Sequence, residues 1–202
     1  MKKREFKILI LTNLVLLILI NSLYLPGPNF LIAPAVLFYN IGVIGAFAGF
    51  VAVPIGLVWI GLSYFKKRKL FKPIFFTTLF LVPLLSIISL TNLCRNFSRT
   101  IAMNNGNKLV EQIEDFKTKN GNYPDSLSRS IFDIPHSGVI GIDHYNYKKT
   151  DNNFELSFNQ YVFWILNFEI VTYNNRDEQK AEGRQRNLYP TNLNHWKYEI
   201  FD

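Results

Sequence analysis

The sequence predicts an all-α membrane anchor of three transmembrane helices, followed by an α+β domain outside the cytoplasm in which an amphipathic helix packs on a small antiparallel sheet. Three observations predict it. Residues 1–93 carry nine Lys or Arg and one acid, Glu5, and the basic residues fall in two clusters, Lys2–Lys7 and Lys66–Lys72. The 58 residues between those clusters carry no charge. Residues 94–202 are polar, rich in Asn and Tyr, and nearly neutral, with 13 Lys or Arg against 14 Asp or Glu. Apolar runs whose basic flanks all fall on one side indicate a multi-pass protein with those flanks in the cytoplasm. The net charge of +7 is therefore a topology signal, and no nucleic-acid partner is expected.

The first span is expected over about 6–25, ending at the breaker Leu25-Pro26-Gly27-Pro28-Asn29. The second is expected over about 41–65. Between them, 30–39 is apolar but contains Pro34, and 30–65 is too short for two spans of ~20 residues. Residues 30–39 are accordingly expected to form a short interfacial or re-entrant segment. The third span is expected over 73–93, with Pro73 in its first turn. A fourth span would put one basic cluster on the wrong side. Residues 1–25 also have the basic start and apolar run of a signal peptide, but Asn21-Ser22-Leu23-Tyr24-Leu25-Pro26 has no small-x-small cleavage site, so an uncleaved span is expected. The resulting domains are 1–93 and 94–202, in a bacterial inner membrane with the N-terminus cytoplasmic and the C-terminal domain periplasmic or otherwise extracytoplasmic.

Within the second span Gly42, Gly45, Gly49, Ala52 and Gly56 recur at spacings of three and four, which places them on one helix face. Small residues let helix backbones approach closely in lipid. The seam suits packing against the other spans of the chain, and it also suits self-association. Apart from Lys7 at the start of the first span, no Asp, Glu, Lys, Arg or His falls inside a span, which argues against a proton relay or ion-coupled transport. The single Cys94 excludes an intrachain disulfide and a multi-cysteine zinc site. Leu93 before it is not the small residue a lipidation site needs.

Past residue 93 a helix is expected to continue, or to restart after a break near Asn104-Asn105-Gly106. Leu109, Ile113 and Phe116 recur at helical spacing beside Val110, with Glu111, Glu114, Asp115, Lys117 and Lys119 between them, an amphipathic pattern with one core face. Asn120-Gly121 is expected to end it. Strands are expected over 144–150 and 153–160 around a turn at Asp151-Asn152, within the apolar run 162–173 where Phe168, Ile170 and Thr172 alternate, and at the end where Trp196, Tyr198 and Ile200 alternate. One helix followed by about four antiparallel strands is an α+β domain.

The stretch Lys108 to Leu127 resembles the start of the globular domain of type II secretion major pseudopilins and related type IV pilin-like proteins. There an amphipathic helix ends in an aromatic-x-x-x-Asn-Gly-x-Tyr-Pro passage before a small antiparallel sheet, and Phe116, Asn120, Gly121, Tyr123 and Pro124 match that passage. The resemblance implies the fold and export of residues 108–202. It does not extend to filament assembly, because true pseudopilins have a leader, a peptidase site and a single span with an early Glu, whereas the span here opens Lys72-Pro73-Ile74-Phe75-Phe76. No calcium ligand is carried over from it.

Chemistry-bearing residues are sparse. His136, His144 and His195 fall on different loop or strand-edge positions without metal-binding spacing. Asp143-His144 and Ser137 lack the strand–turn–helix setting of a nucleophile elbow. Asp151-Asn152-Asn153 and Asp177-Glu178 hold oxygens of the kind calcium takes, but neither completes a ligand loop. No catalytic, cofactor-binding or metal-binding residue is assigned, and no cofactor is expected. The run 161–166 is longer than one buried face needs and suits an exposed patch for a partner or the membrane surface. The function expected is non-enzymatic: presentation of a pilin-like domain to an unidentified protein outside the cytoplasm, linked to secretion or pilus machinery, with lipids as the other partner. A membrane-anchored immunity or sensor protein is the alternative with the same architecture. A membrane enzyme or transporter is disfavoured by the absent catalytic spacing and intramembrane charge.

Overall fold

The computed structural model describes residues 2–150, 152–163, 167–181, 183 and 187–201. It divides into two compact units, Met1–Leu23 with Ala33–Cys94, and Tyr24–Ile32 with Arg95–Asp202. The chain thus changes unit at Cys94, and the connection 24–32 belongs with the second unit, which charge patterning alone does not reveal.

The first unit is helical. Helix α1 (Lys3–Ile20) starts with Glu5 accepting from the Lys2 backbone N–H at 2.8 Å. Helix α2 spans Ile32–Phe65 and α3 spans Phe71–Leu85. A π-helical stretch, Ser86–Leu90, then joins α3 to α4 (Thr91–Asn120). Two helical stretches, Asn29–Phe65 and Phe71–Asn120, are long and apolar enough to cross a bilayer. Helix α1 is not a third by that measure, because Lys3, Arg4, Glu5 and Lys7 occupy its first turns. Residues 30–39 do not form a separate re-entrant segment. Apart from the short 3₁₀ turn Asn29–Leu31, they are the first turns of α2. Pro34 is tolerated there because N–H groups in the first turn have no helical partner to lose.

The second unit is one helix on one sheet. Its sheet has five antiparallel strands in the order β1-β2-β3-β5-β4, with β1 Asn146–Thr150, β2 Asn153–Phe163, β3 Asn167–Tyr173, β4 Tyr189–Pro190 and β5 Trp196–Phe201. Strands β1 and β2 pair from Asn146↔Ser157 to Thr150↔Asn153. Of the turn residues expected between them, Asp151 lies outside the described residues. The apolar run 162–173 is not one strand: it holds the end of β2 and all of β3, and its residues 164–166 lie outside the described residues. In β3 the buried face is Glu169, Val171 and Tyr173, while Phe168, Ile170 and Thr172 face the other way, half-buried. An alternation of apolar side chains marks a strand without saying which face is covered.

Helix α4 does not break at Asn104-Asn105-Gly106. Tertiary contacts override the weak local propensity. Asn105 Nδ2 donates to the Ser137 carbonyl at 2.9 Å, and Asn107 Oδ1 accepts from the Trp196 indole N–H at 2.8 Å. At Gly106 an added Cβ would stand 3.0 Å from Trp196 Cη2 and 3.2 Å from Tyr145 Cε1. Glycine here lets the indole lie against the helix backbone. Ala102, Met103, Leu109, Val110 and Ile113 continue this stripe into a core with Phe154, Leu156, Phe158, Val171 and Trp196.

Phe154 is fully buried, with Tyr123, Tyr147 and Tyr173 ring centroids at 5.1, 5.8 and 5.8 Å. Phe116 is only half-buried, at the rim of the core beside Phe132 with centroids 5.5 Å apart. Phe154→Ala should therefore cost about 3–5 kcal/mol, and Phe116→Ala only about 1–2 kcal/mol. Denaturant melts of the full chain in mild detergent measure the order. Equal losses at the two positions would place Phe116 in the core.

Candidate functional site

Four groupings of side chains bring polar or small residues together. The small-residue seam of α2 meets the chain's own helices. A Cβ on Gly42 would meet Ile20 of α1 at 2.8 Å, one on Gly45 would meet Pro83 of α3 at 3.4 Å, and one on Gly49 would meet the Phe80 carbonyl at 3.0 Å. Gly56 sits against Thr77, and Ala52 is half-buried. The close approach these residues permit is used within the chain. Polar side chains join the same helices. Asn13 Nδ2 donates to Thr78 Oγ1 at 3.2 Å, and buried Asn21 donates from Nδ2 to Ser86 Oγ at 2.7 Å. Ser86 opens the π-helical stretch. Such bonds hold helices together where no water competes.

The second grouping ends α4. Gly121 takes φ +80° and its N–H donates to the Lys117 carbonyl at 2.7 Å, while Asn120 Nδ2 returns to the Phe116 carbonyl at 2.8 Å. These bonds satisfy carbonyls that the last turn leaves open. Tyr123 folds back beneath the helix. Its hydroxyl donates to Glu114 Oε1 at 3.0 Å, and Lys117 Nζ lies 4.2 Å from its ring centroid. The buried Pro124 accepts at its carbonyl from the Tyr147 hydroxyl at 2.7 Å.

The third grouping surrounds the loop before β1. His136, Asp143 and His144 all line one groove of about 590 Å³. His144 Nδ1 and Asp143 Oδ2 are 2.9 Å apart on an exposed surface. Ser137 is not a free nucleophile: it is buried, and its hydroxyl donates to the Ile142 carbonyl at 2.6 Å. His195 Nδ1 lies 3.1 Å from Asp177 Oδ2, and Lys197 reaches Asp177 Oδ1 at 3.4 Å. Asn153 is buried and donates to Asn174 Oδ1 at 2.8 Å. Among the described residues no three His, Cys, Asp or Glu side chains gather as a metal site would require.

The same loop holds the connection between α1 and α2. Pro26 forms an antiparallel bridge with Val139. The Gly27 N–H donates to the Gly138 carbonyl at 3.2 Å, and the Ile140 N–H donates to the Leu25 carbonyl at 3.1 Å. Asn29 Nδ2 donates to the Asp143 carbonyl, and the Tyr24 hydroxyl donates to the Tyr161 carbonyl at 3.1 Å. A Cβ on Gly27 would stand 2.8 Å from Ile140 Cγ1, so the segment is fitted closely to the loop.

The fourth grouping was not anticipated. Glu169 on β3 is fully buried and accepts two bonds from Arg99 of α4, Nε to Oε1 at 2.8 Å and Nη2 to Oε2 at 2.7 Å. Arg99 also stacks on Tyr198, 3.8 Å from the ring centroid. Arg95, one turn earlier, brings Nε to 3.5 Å from Glu169 Oε2 without a hydrogen bond. The signal lay in the sequence: Glu169 is the only charge in 162–173, and Arg95 and Arg99 share one helix face.

Comparison with protein-family models, with curated proteins and with solved structures gives no match.

Two outcomes follow from these contacts. Glu169→Leu leaves Arg99 buried without its partner and should cost about 3–5 kcal/mol, whereas Glu169→Leu with Arg99→Met should recover most of that loss. Thermal melts of both variants measure it, and equal losses would place the ion pair in solvent. The second concerns alkaline pH. Burial pushes the Tyr147 hydroxyl up to about 12, with negative charge at Asp125 and then Tyr123 adding to it. Burial also raises Tyr145, whose hydroxyl donates to the Ala102 carbonyl at 2.6 Å. An unfolded tyrosine ionises near ~10. Their contribution is thus fully present below pH ~10 and is lost as pH rises through ~12, because the unfolded chain sheds its protons first. Melts between pH ~9 and ~11.5 should show a falling Tm, with a shallower fall in Tyr147→Phe.

Proposed function

We propose that this chain is a non-enzymatic, multi-pass protein of a bacterial cytoplasmic membrane that presents its α+β domain, pilin-like in its helix-to-sheet passage, to a protein partner outside the cytoplasm. The observation that carries the reading is the connection 24–32, which is hydrogen-bonded into the loop 138–143 of the domain. Segments bonded to one another lie on one side of a bilayer. Between that connection and the domain stand the two stretches long enough to cross, Asn29–Phe65 and Phe71–Asn120. Two crossings return the chain to the side it left, with Lys66–Lys72 on the opposite side. The positive-inside bias makes that opposite side the cytoplasm. It also assigns Lys2–Lys7 there, so α1 is the third span.

Among the described residues, the Ser137 hydroxyl, Tyr123, Asn153 and Glu169 are engaged in holding the fold, and their contacts serve packing and chain reversal.

Reporter fusions after Arg68 and after Asp202 should fall in opposite compartments. Cysteines placed at Pro26 and Val139 in a Cys94→Ala background should join when the domain is in an oxidising compartment. A shared compartment for the two fusions would sink the topology. Crosslinking in native membranes should then yield a discrete protein adduct on the domain, and a chain that crosslinks only to lipid would remove the partner.

A further inference from the structure

The arginine pair beside Glu169 leaves a charge unmatched. Two guanidiniums, Arg95 and Arg99, face one carboxylate, Glu169, and Arg95 Nε is buried with no acceptor. The hydrogen bonds of Arg99 to Glu169 use Nε and Nη2, so Nη1 keeps two donors. Arg99 also lines a groove of about 500 Å³ between α4 and the β4–β5 connection, with Asn96, Phe97, Thr100, Asn192 and Tyr198. The groove therefore offers a guanidinium, amides and hydroxyls around one space, the donor set that phosphate oxygens take. Phe97 at its border is exposed.

Position selects among phosphates. Arg95 directly follows Cys94, the last residue of the apolar unit. In the topology proposed above, on which this inference rests, Arg95 and Arg99 stand within two turns of the extracytoplasmic end of a span. Basic residues at that end run against the positive-inside bias. A cation pair kept there, partly desolvated and only half neutralised by Glu169, needs another anion, and the anions abundant at that depth are lipid headgroups.

We propose that the groove lined by Arg99, Asn96, Thr100 and Asn192 binds the phosphate of an anionic phospholipid headgroup in the outer leaflet, the acyl chains leaving past Phe97, with Arg95 adding positive charge through the carboxylate it shares with Arg99. The surplus positive charge favours a net-anionic headgroup over a zwitterionic one. The site ties the start of the domain to the bilayer surface by charge, in addition to the covalent span.

The experiment uses the full chain in mild detergent, with thermal melts on adding phosphatidylglycerol, phosphatidylcholine or inorganic phosphate. Phosphatidylglycerol should raise the Tm of the wild type more than phosphatidylcholine does. Lys66–Lys72 contributes to that difference, so the decisive quantity is its change in variants. Arg95→Gln should need about fivefold more phosphatidylglycerol for the same rise, with the phosphatidylcholine response unchanged. Asn192→Asp, an exposed substitution away from Glu169, should shift the response in the same direction and decides the matter if Arg95→Gln does not fold. A phosphatidylglycerol response unchanged in Asn192→Asp and in any folded Arg95→Gln overturns the site. Inorganic phosphate raising the Tm as much as the lipid, at equal concentration, overturns the headgroup as occupant. Either result leaves the reporter-fusion topology intact, while a cytoplasmic reporter at Asp202 would instead remove the topology beneath the proposal.

Discussion

The domain is organised around the indole of Trp196 lying against the backbone of α4 at Gly106. A β-carbon there would stand 3.0 Å from the ring, so any other residue would push the indole away by a few tenths of an ångström. The indole N–H must then find a partner, because an unpaired buried donor is costly. Asn107 supplies it at 2.8 Å. With the ring fixed, Phe158 and Tyr173 pack on it at centroid separations of 5.8 and 5.4 Å. Those two residues carry β2 and β3 onto the helix. The register of β5 follows, since Trp196 pairs with Tyr173 across the ladder. A residue pair that looks like a helix breaker is thus what allows the helix to be the platform of the sheet.

The legible part of the sequence was the part governed by local pattern. Phe154, Leu156 and Phe158 alternate and are all fully buried. The Asn120-Gly121 end of α4 follows from backbone preferences that act within four residues, and the pairing of β1 with β2 from the short separation of two strand-forming runs. The illegible part depended on contacts between distant segments. Gly106 signals a break until Trp196 is placed beside it. Pro34 signals a break until its place in a first turn is known. The alternation in 162–173 announces a strand, but its inward face holds Glu169, and an acid enters a core only when a distant arginine meets it. For the candidate site the same division holds. The glycine seam of α2 was visible as spacing, whereas the groove beside Arg99 exists only after β4 and β5 reach α4.

The buried Arg99–Glu169 pair also bears on specificity. An ion pair of this kind contributes little net stability against a well-packed apolar alternative, because both groups lose their water. A slide of helix α4 by one turn would bring Arg95 into the place of Arg99 on Tyr198 and Glu169, so the ion pair alone does not fix the register of helix on sheet. The contact of Trp196 with Gly106 and its bond to Asn107 have no such stand-in, because Ala102 and Met103, or Val110 and Glu111, occupy the positions one turn away.

Register matters here because the chain enters the domain twice. It enters once through 24–32 and once through α4. The first entry is held by backbone bonds at Gly27 and Ile140 and by the Asn29 amide on the Asp143 carbonyl. The second is held by Arg99 and the Trp196 contact. The first attachment closes the loop 138–143 and the second closes α4 on β3 and β5, so both act within the domain. The backbone groups of Gly138, Ile140 and Asp143 are occupied in closing the loop on which the connection between α1 and α2 is laid, while the Asp143 carboxylate stays exposed beside His144.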